Sequence, residues 1–335
     1  MNKIGQLLHS FLVDYLPVQR AFLPSSVKSY RDVLRMYLQF TSKQAKCKMT
    51  KLDLQHFNLE SITKFLIWLE TTRKNSIRTR NHRLAVLNTF CEYLASHVPE
   101  YLSEAQRIAT IQVKRCHPPE TFFLEVNEIN HMLKSASVGS KVALTLRDRA
   151  ILLFMYNTGA RVQEVAGLKI EQLELDGNRV HLYGKGGKWR SCPLWKETVE
   201  ILKHMLDGRD LAPKDFVFLS YFGKPLTRFG IYKIVRKHTS GIKKKRIDGT
   251  SKPISPHTIR HSTAIHLLES GVEVNVIRGW LGHVSLETTN RYAEINMRMK
   301  EEAMKACQPP ISNVKAHVDV RWRDDAALLK WLDSL

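Results

Sequence analysis

Cysteine is scarce in this chain: five in 335 residues, at positions 47, 91, 116, 192 and 307, with no C-x-x-C pair and an odd total. That pattern excludes a zinc ribbon and a disulfide framework and suits a reducing compartment. The 14 histidines contain neither H-E-x-x-H nor C-x-x-C…H-x-x-x-H, so spacing supports no metal site. Long apolar runs are missing too. The longest, around Ile151 to Tyr156, is far below the roughly 20 residues of a membrane helix. The opening stretch MNKIGQLLHSFLVDYL breaks its apolar residues with Gln6, His9 and Asp14, which reads as an amphipathic helix and not a secretion signal. Acidic residues are the minority, 32 against 52 lysines and arginines, a net charge of +20. Such an excess calls for a polyanionic partner, and nucleic acid is the commonest. The expectation is a cytoplasmic protein with no membrane contact.

Apolar spacing of three and four runs through residues 1–112: Val27, Tyr30, Val33, Leu34, Tyr37 and Leu38; then Ile62, Phe65, Leu66 and Leu69; then Leu84, Leu87, Phe90, Cys91 and Leu94. Four or so amphipathic helices of this kind close a small bundle. Arg73, Lys74, Arg78, Arg80 and Arg83 lead into the third run, either as a solvated face or as a helix laid along phosphates. Residues 113–120, VKRCHPPE, resist helix and read as a linker. Residues 121–310 form a second domain: helices at Glu128 to Ala136 and Leu144 to Asn157, the latter stopped by Gly159, and then a strand-like stretch. LELDGNRVHLYGKGGKWRSCPL alternates apolar and polar residues around two turn signals and predicts a small three-stranded antiparallel sheet. Helices return from Glu197. The cationic run Lys243, Lys244, Lys245 and Arg246 reads as a solvated or DNA-facing loop. In the tail, 311–335, Ala327, Leu328, Trp331, Leu332 and Leu335 make one helical stripe. It predicts a helix that docks on a neighbouring protomer or on its own domain.

Chemistry-bearing residues occur in short pieces. In SPHTIRHSTAIHLLESG, Ser255 suits an N-cap, Pro256 the first helical position and Gly271 the stop. His257 and Arg260 then share one face near the helix start, where the field favours an anion. A guanidinium can hold two phosphate oxygens and an imidazole can move a proton near neutral pH. RGWLGHVSLETTNRYAEI places a helix stop at Gly282, His283 just beyond it, a new cap at Ser285 and Tyr292 two turns on. TGARVQEVAGL puts Arg161 at a helix start after a glycine turn, and GKGGK puts Lys185 at a hairpin tip. Each piece alone has an ordinary structural explanation.

Together and in this order, TGARVQEVAGL, GKGGK, PHTIRHSTAIHLLESG and LGHVSLETTNRY, preceded by a cationic helical stretch, resemble the tyrosine recombinases, or phage integrases, including the Xer-type enzymes. The resemblance covers about residues 20–305. It implies a mainly α fold with a small antiparallel sheet (α+β), a helical core-binding domain followed by a catalytic domain. It also implies Arg161 and Arg260 as phosphate-clamping arginines, Tyr292 as nucleophile and Lys185, in preference to Lys188, as the hairpin lysine. His257 is the first residue of H-x-x-R and His283 the later histidine. The chemistry is consistent: a phenol with a pKa near 10 needs help to attack at neutral pH. His257 is placed to assist its deprotonation, His283 to orient the phosphate and Lys185 to protonate the departing 5′ oxygen.

The product implied is a 3′-phosphotyrosyl link with a free 5′ hydroxyl, made without metal or ATP on double-stranded DNA. A tetramer of identical or related recombinases would act on synapsed DNA, with the protein nucleoid-associated when bound. A type IB topoisomerase or telomere resolvase uses the same nucleophile, but the short β region and Xer-like spacing favour a recombinase. A silent DNA-binding accessory protein has no need of a complete set of catalytic positions. The extra length and tail point to integration, excision or transposition of a mobile element.

Overall fold

The computed structural model describes residues 3–116, 121–139, 142–184, 187–242, 244–245, 251–282 and 330. Contacts divide the chain into two compact units, Met1–Pro119 and Glu120–Leu335. The first is helical: α1 (Lys3–Ser10), continued by a wider-wound helical stretch Phe11–Gln19, then α2 (Pro24–Gln44), α3 (Leu59–Thr71), α4 (Ile77–His97) and α5 (Leu102–Ala109). Side chains set the helix starts. Pro24 occupies the first turn of α2, Asn58 accepts from the Ser61 N–H at 2.7 Å, and Ser76 accepts from that of Thr79. The amphipathic faces bury Phe11, Tyr37, Phe57, Phe65 and Phe90. Ring contacts link them, and the Tyr37 hydroxyl reaches the His56 carbonyl at 2.8 Å.

One member of the expected cationic set is misplaced by the sequence reading. Arg80 is only 6% exposed, because it shares its helix face with the buried Leu84, Leu87 and Cys91. Its guanidinium donates to the Gln112 carbonyl at 2.9 Å and to Asn81, so it packs inside the unit and does not lie on a phosphate-facing surface. Arg73, Lys74 and Arg78 are exposed and Arg83 is half-buried. Arg73 stacks over Trp68 at 5.5 Å. The beginning of the stretch read as a linker is also held: Asn81 donates to the Lys114 carbonyl at 2.7 Å, and Lys114 pairs with Glu70.

The second unit is built round α7 (Val142–Thr158), in which every residue from Ala150 to Met155 is buried. A helix buried on all sides needs neighbours on all sides. They include α6 (Val126–Ser135), α9 (Lys196–Leu206), α10 (Arg228–His238) and α11 (Pro256–Glu269). Between the short α8 (Val162–Ala166) and α9 lies the antiparallel sheet β1 (Leu173–Glu174), β2 (Arg179–Tyr183) and β3 (Trp189–Pro193). Val180 pairs with Cys192 and Leu182 with Arg190, so Val180, Leu182 and Cys192 face the core. The cationic run expected to be a loop contains a strand: β4 (Lys244–Lys245) pairs with β5 (Ser251–Lys252). Lys243 and Arg246 lie outside the described residues, as does the expected docking helix of the tail apart from Lys330. The last described helix is α12 (Val274–Leu281), ended by Gly282 in the left-handed conformation at φ 62°.

A buried polar cluster joins three of these helices. Asp148 on α7 accepts from Arg147 at 2.6 Å and from His238 of α10 at 3.1 Å, with Lys237 at 3.4 Å. The other ring nitrogen of His238 meets Ser135 of α6 at 3.2 Å. Among the described residues, no helix is long and apolar enough to cross a membrane.

Candidate active site

Three arginines converge on one helix end. α7 stops at Gly159, whose φ of +58° turns the chain, and a Cβ there would come within 2.4 Å of Leu281. Arg161 follows as the residue that opens α8, its N–H donating to Glu164 Oε2 at 2.9 Å and its Nη1 to Oε1 at 3.0 Å. Its Nη2 donates to the Gly282 carbonyl at 3.0 Å. Arg260 sits in the second turn of α11, whose start is set by Ser255 and Pro256, with the Ser255 N–H donating to Thr258 Oγ1 at 3.1 Å. Arg260 is 4% exposed and donates to the Gly159 carbonyl at 2.6 Å and to the Leu281 carbonyl at 2.5 Å. Arg190 of β3 donates through Nε to the Trp280 carbonyl at 2.9 Å. Three successive carbonyls, those of Trp280, Leu281 and Gly282, thus each receive one guanidinium. The last carbonyls of a helix have no partner within it and carry the negative end of its dipole, so cations are favoured there.

This arrangement brings Arg161 and Arg260 together, and His257 lies in the field of both. Partial burial, then the charges of Arg260 and Arg161, hold the His257 imidazolium below its ordinary pKa of 6.5. His257 is therefore neutral at pH 7 and able to accept a proton. Each guanidinium has five N–H groups, so bonds to two carbonyl or carboxylate partners use only part of what Arg161 can donate. Lys188 is exposed and its carbonyl receives the Gly184 N–H at 2.8 Å. Lys185, His283 and Tyr292 lie outside the described residues.

Two residues of this cluster escape the sequence reading. Glu164 stands three after Arg161, a capping spacing legible in RVQE, and its carboxylate bridges Arg161 and Arg190. Burial would raise the Glu164 pKa, but Arg190 and Arg161 outweigh that and hold it below the usual carboxylate range. Arg190 has no local signal beyond alternation with the buried Cys192, since a basic residue beside GKGGK reads as solvated. Among the described residues no cluster of His, Cys, Asp and Glu is arranged to hold a metal ion.

The His257 shift has a kinetic consequence. If neutral His257 is the proton acceptor, the acid limb of kcat/KM for DNA cleavage should have its midpoint below pH 6.5. The limb should vanish in His257→Gln. The same group adds stability that is complete above pH 6.5 and declines as the pH falls toward the folded-state value, because the unfolded chain takes up the proton first. A pH-rate profile with a midpoint at or above 6.5 would rule out this assignment.

The profile of the phage integrase family matches residues 122–299. The y4rC protein of Sinorhizobium fredii, which bears a provisional integrase/recombinase name, is 33% identical over 333 residues, covering 99% of this chain and 98% of that one. Tyrosine recombinase XerD of Listeria innocua is 30% identical over 91% of this chain and 99% of its own. The fold recurs in the XerH site-specific recombinase bound to palindromic difH substrate, with a TM-score of 0.67 and 23% identity over 85% of this chain and 81% of that one. It recurs in the Tn1549 transposon integrase in complex with a circular intermediate DNA, at TM-score 0.66 and 14% identity over 91% and 99%. The chain belongs to the phage integrase family, as a site-specific tyrosine recombinase of Xer-like type.

Proposed function

We propose that this recombinase cleaves and rejoins double-stranded DNA through a 3′-phosphotyrosyl intermediate on Tyr292, in the integration, excision or transposition of a mobile element. The observation that carries the reading is the meeting of Arg161 and Arg260 at the end of α12, with His257 in the field of both, directly before His283 and ten residues before Tyr292 in the chain. In the proposed step the Tyr292 oxygen bonds to phosphorus as His257 takes its proton. The bond to the 5′ oxygen breaks, and that oxygen leaves as a hydroxyl with a proton from Lys185. Arg161 and Arg260 offset charge on the nonbridging oxygens, each such donor being worth about 3–4 kcal/mol. His283 orients the same phosphate. The ester is conserved, so a 5′ hydroxyl from a second duplex reverses the step with neither metal nor ATP. Exchange of both strand pairs calls for a tetramer of identical or related protomers. Arg73, Lys74 and Arg78, exposed on the first unit, are the cations to contact phosphates there.

Covalent capture tests this. A nicked duplex carrying the element's end sequence, incubated with the protein in chelator, should yield a denaturation-resistant adduct that peptide mass places on Tyr292 and that Tyr292→Phe does not form. Salt-sensitive DNA binding without any adduct would turn the reading toward an accessory protein. Supercoil relaxation without intermolecular exchange would turn it toward a topoisomerase.

A further inference from the structure

The phosphate clamp has a charge problem, and Arg190 stands where it is solved. Glu164 holds Arg161 at 3.0 Å, so an uncompensated carboxylate would cancel the positive charge that Arg161 is to offer a phosphate and would repel that phosphate. Arg190 closes on the same carboxylate from the other side, Nη1 to Oε1 at 3.0 Å and Nη2 to Oε2 at 2.6 Å, with both side chains less than a tenth exposed. A two-pronged pair of this kind fixes orientation as well as charge. Its Nε bond to the Trp280 carbonyl ties β3 to the end of α12, next to the carbonyls held by Arg260 and Arg161.

The backbone makes room for this guanidinium. A Cβ at Gly282 would lie 3.1 Å from Arg190 Cδ, and one at Gly184 would lie 3.4 Å from Arg190 Nη1 and 3.3 Å from Glu164 Oε1. Two glycines from separate motifs, GKGGK and LGH, thus flank one side chain. We propose that Arg190 is a positioning residue for strand cleavage: by neutralising and orienting Glu164 it leaves Arg161 with its charge available to the scissile phosphate and keeps the end of α12 in register. The proposal rests on the phosphate-clamp reading of Arg161. Arg190 itself touches Glu164 and Trp280 and has no part in bond making.

Arg190→Met, Arg190→Lys, Glu164→Gln and the Arg190→Met/Glu164→Gln double variant test it in the full chain. Arg190→Met should slow cleavage of prebound nicked duplex by about 10- to 100-fold, as expected for a small misplacement of a catalytic group. Its Kd for DNA should change by less than about threefold, because contacts elsewhere dominate binding. Adding Glu164→Gln should restore the rate by roughly fivefold or more, a coupling typical of residues in one network. Arg190→Lys, which keeps charge but not the two-pronged fit, should fall between. It is also the variant to use should Arg190→Met fail to fold by circular dichroism.

A second readout needs no cleavage. In a Tyr292→Phe background, the ratio of affinities for a duplex with a natural phosphate and one with a neutral methylphosphonate at the scissile position should shrink when Arg190 is replaced. An Arg190→Met protein that cleaves like wild type would overturn the proposal, as would a double variant no faster than the single. Equal affinity of the unsubstituted clamp for phosphate and methylphosphonate would overturn it as well. Absence of adduct in the wild type would instead sink the functional reading, with the affinity ratio still deciding the role of Arg190.

Discussion

Arg260→Ala should lower the rate of adduct formation on a nicked duplex by about 100- to 1,000-fold, the usual loss when one preorganised donor to a developing oxyanion is removed. Arg260 is buried, sits beside His257 in chain and field, and is aimed by the Gly159 and Leu281 carbonyls. The same truncation leaves those two carbonyls without this partner, which adds a stability cost of about 1–3 kcal/mol per unsatisfied group. The rate must therefore be measured on folded protein, well below a melting temperature determined in parallel. Arg260→Lys keeps the charge but cannot span two carbonyls from one planar group, so it should recover little of the rate. A rate within about fivefold of wild type for folded Arg260→Ala would remove Arg260 from the clamp.

Where local chemistry decides structure, the sequence was readable. Ser255, Pro256 and Gly271 bracket α11, Gly282 ends α12, and the turn residues around β2 yield the three-stranded sheet. Arg161, His257 and Arg260 are named by the resemblance of the combined motifs, and each stands at a helix start or beside a glycine turn. Partnership across distance was not readable. Arg190 and Glu164 meet over a separation of 26 residues, and nothing in either neighbourhood announces the other. The inward turn of Arg80 is hidden for the same reason. Cation density near Arg78 and Arg83 suggested a surface, while the phase of Leu84, Leu87 and Cys91 turns Arg80 inward to a carbonyl 32 residues away. In the cationic run, strand pairing across Lys244 and Lys252 overrode a composition that reads as loop.

The buried cluster round Asp148 is a sensitive structural point among the described residues of the second unit. Asp148→Ala should destabilise that unit by about 3–5 kcal/mol, the range for removing one partner from a buried ionic group. For a unit of this size that corresponds to a melting temperature lower by roughly 10 °C. Two groups are left behind: Arg147, bound to Asp148 at 2.6 Å, and His238, bound at 3.1 Å and almost fully buried. Lys237 is well exposed and contributes little to the loss. Asp148→Asn keeps an acceptor for one of the two and should cost less than alanine. The pH dependence gives a second check. Burial would raise the Asp148 pKa, but hydrogen bonds from His238 and Arg147 and the Arg147 and Lys237 charges hold it below the ordinary 3.8. The carboxylate's contribution is therefore complete above about pH 4 and is lost as the pH falls through the folded-state value. The stability gap between wild type and Asp148→Ala should accordingly narrow in acid, as the pH falls through the folded-state value of Asp148. Denaturant melts across that fall in pH measure it. A gap that stays the same below the folded-state pKa would mean that the cost lies in lost packing and not in the charge shared by α7 and α10.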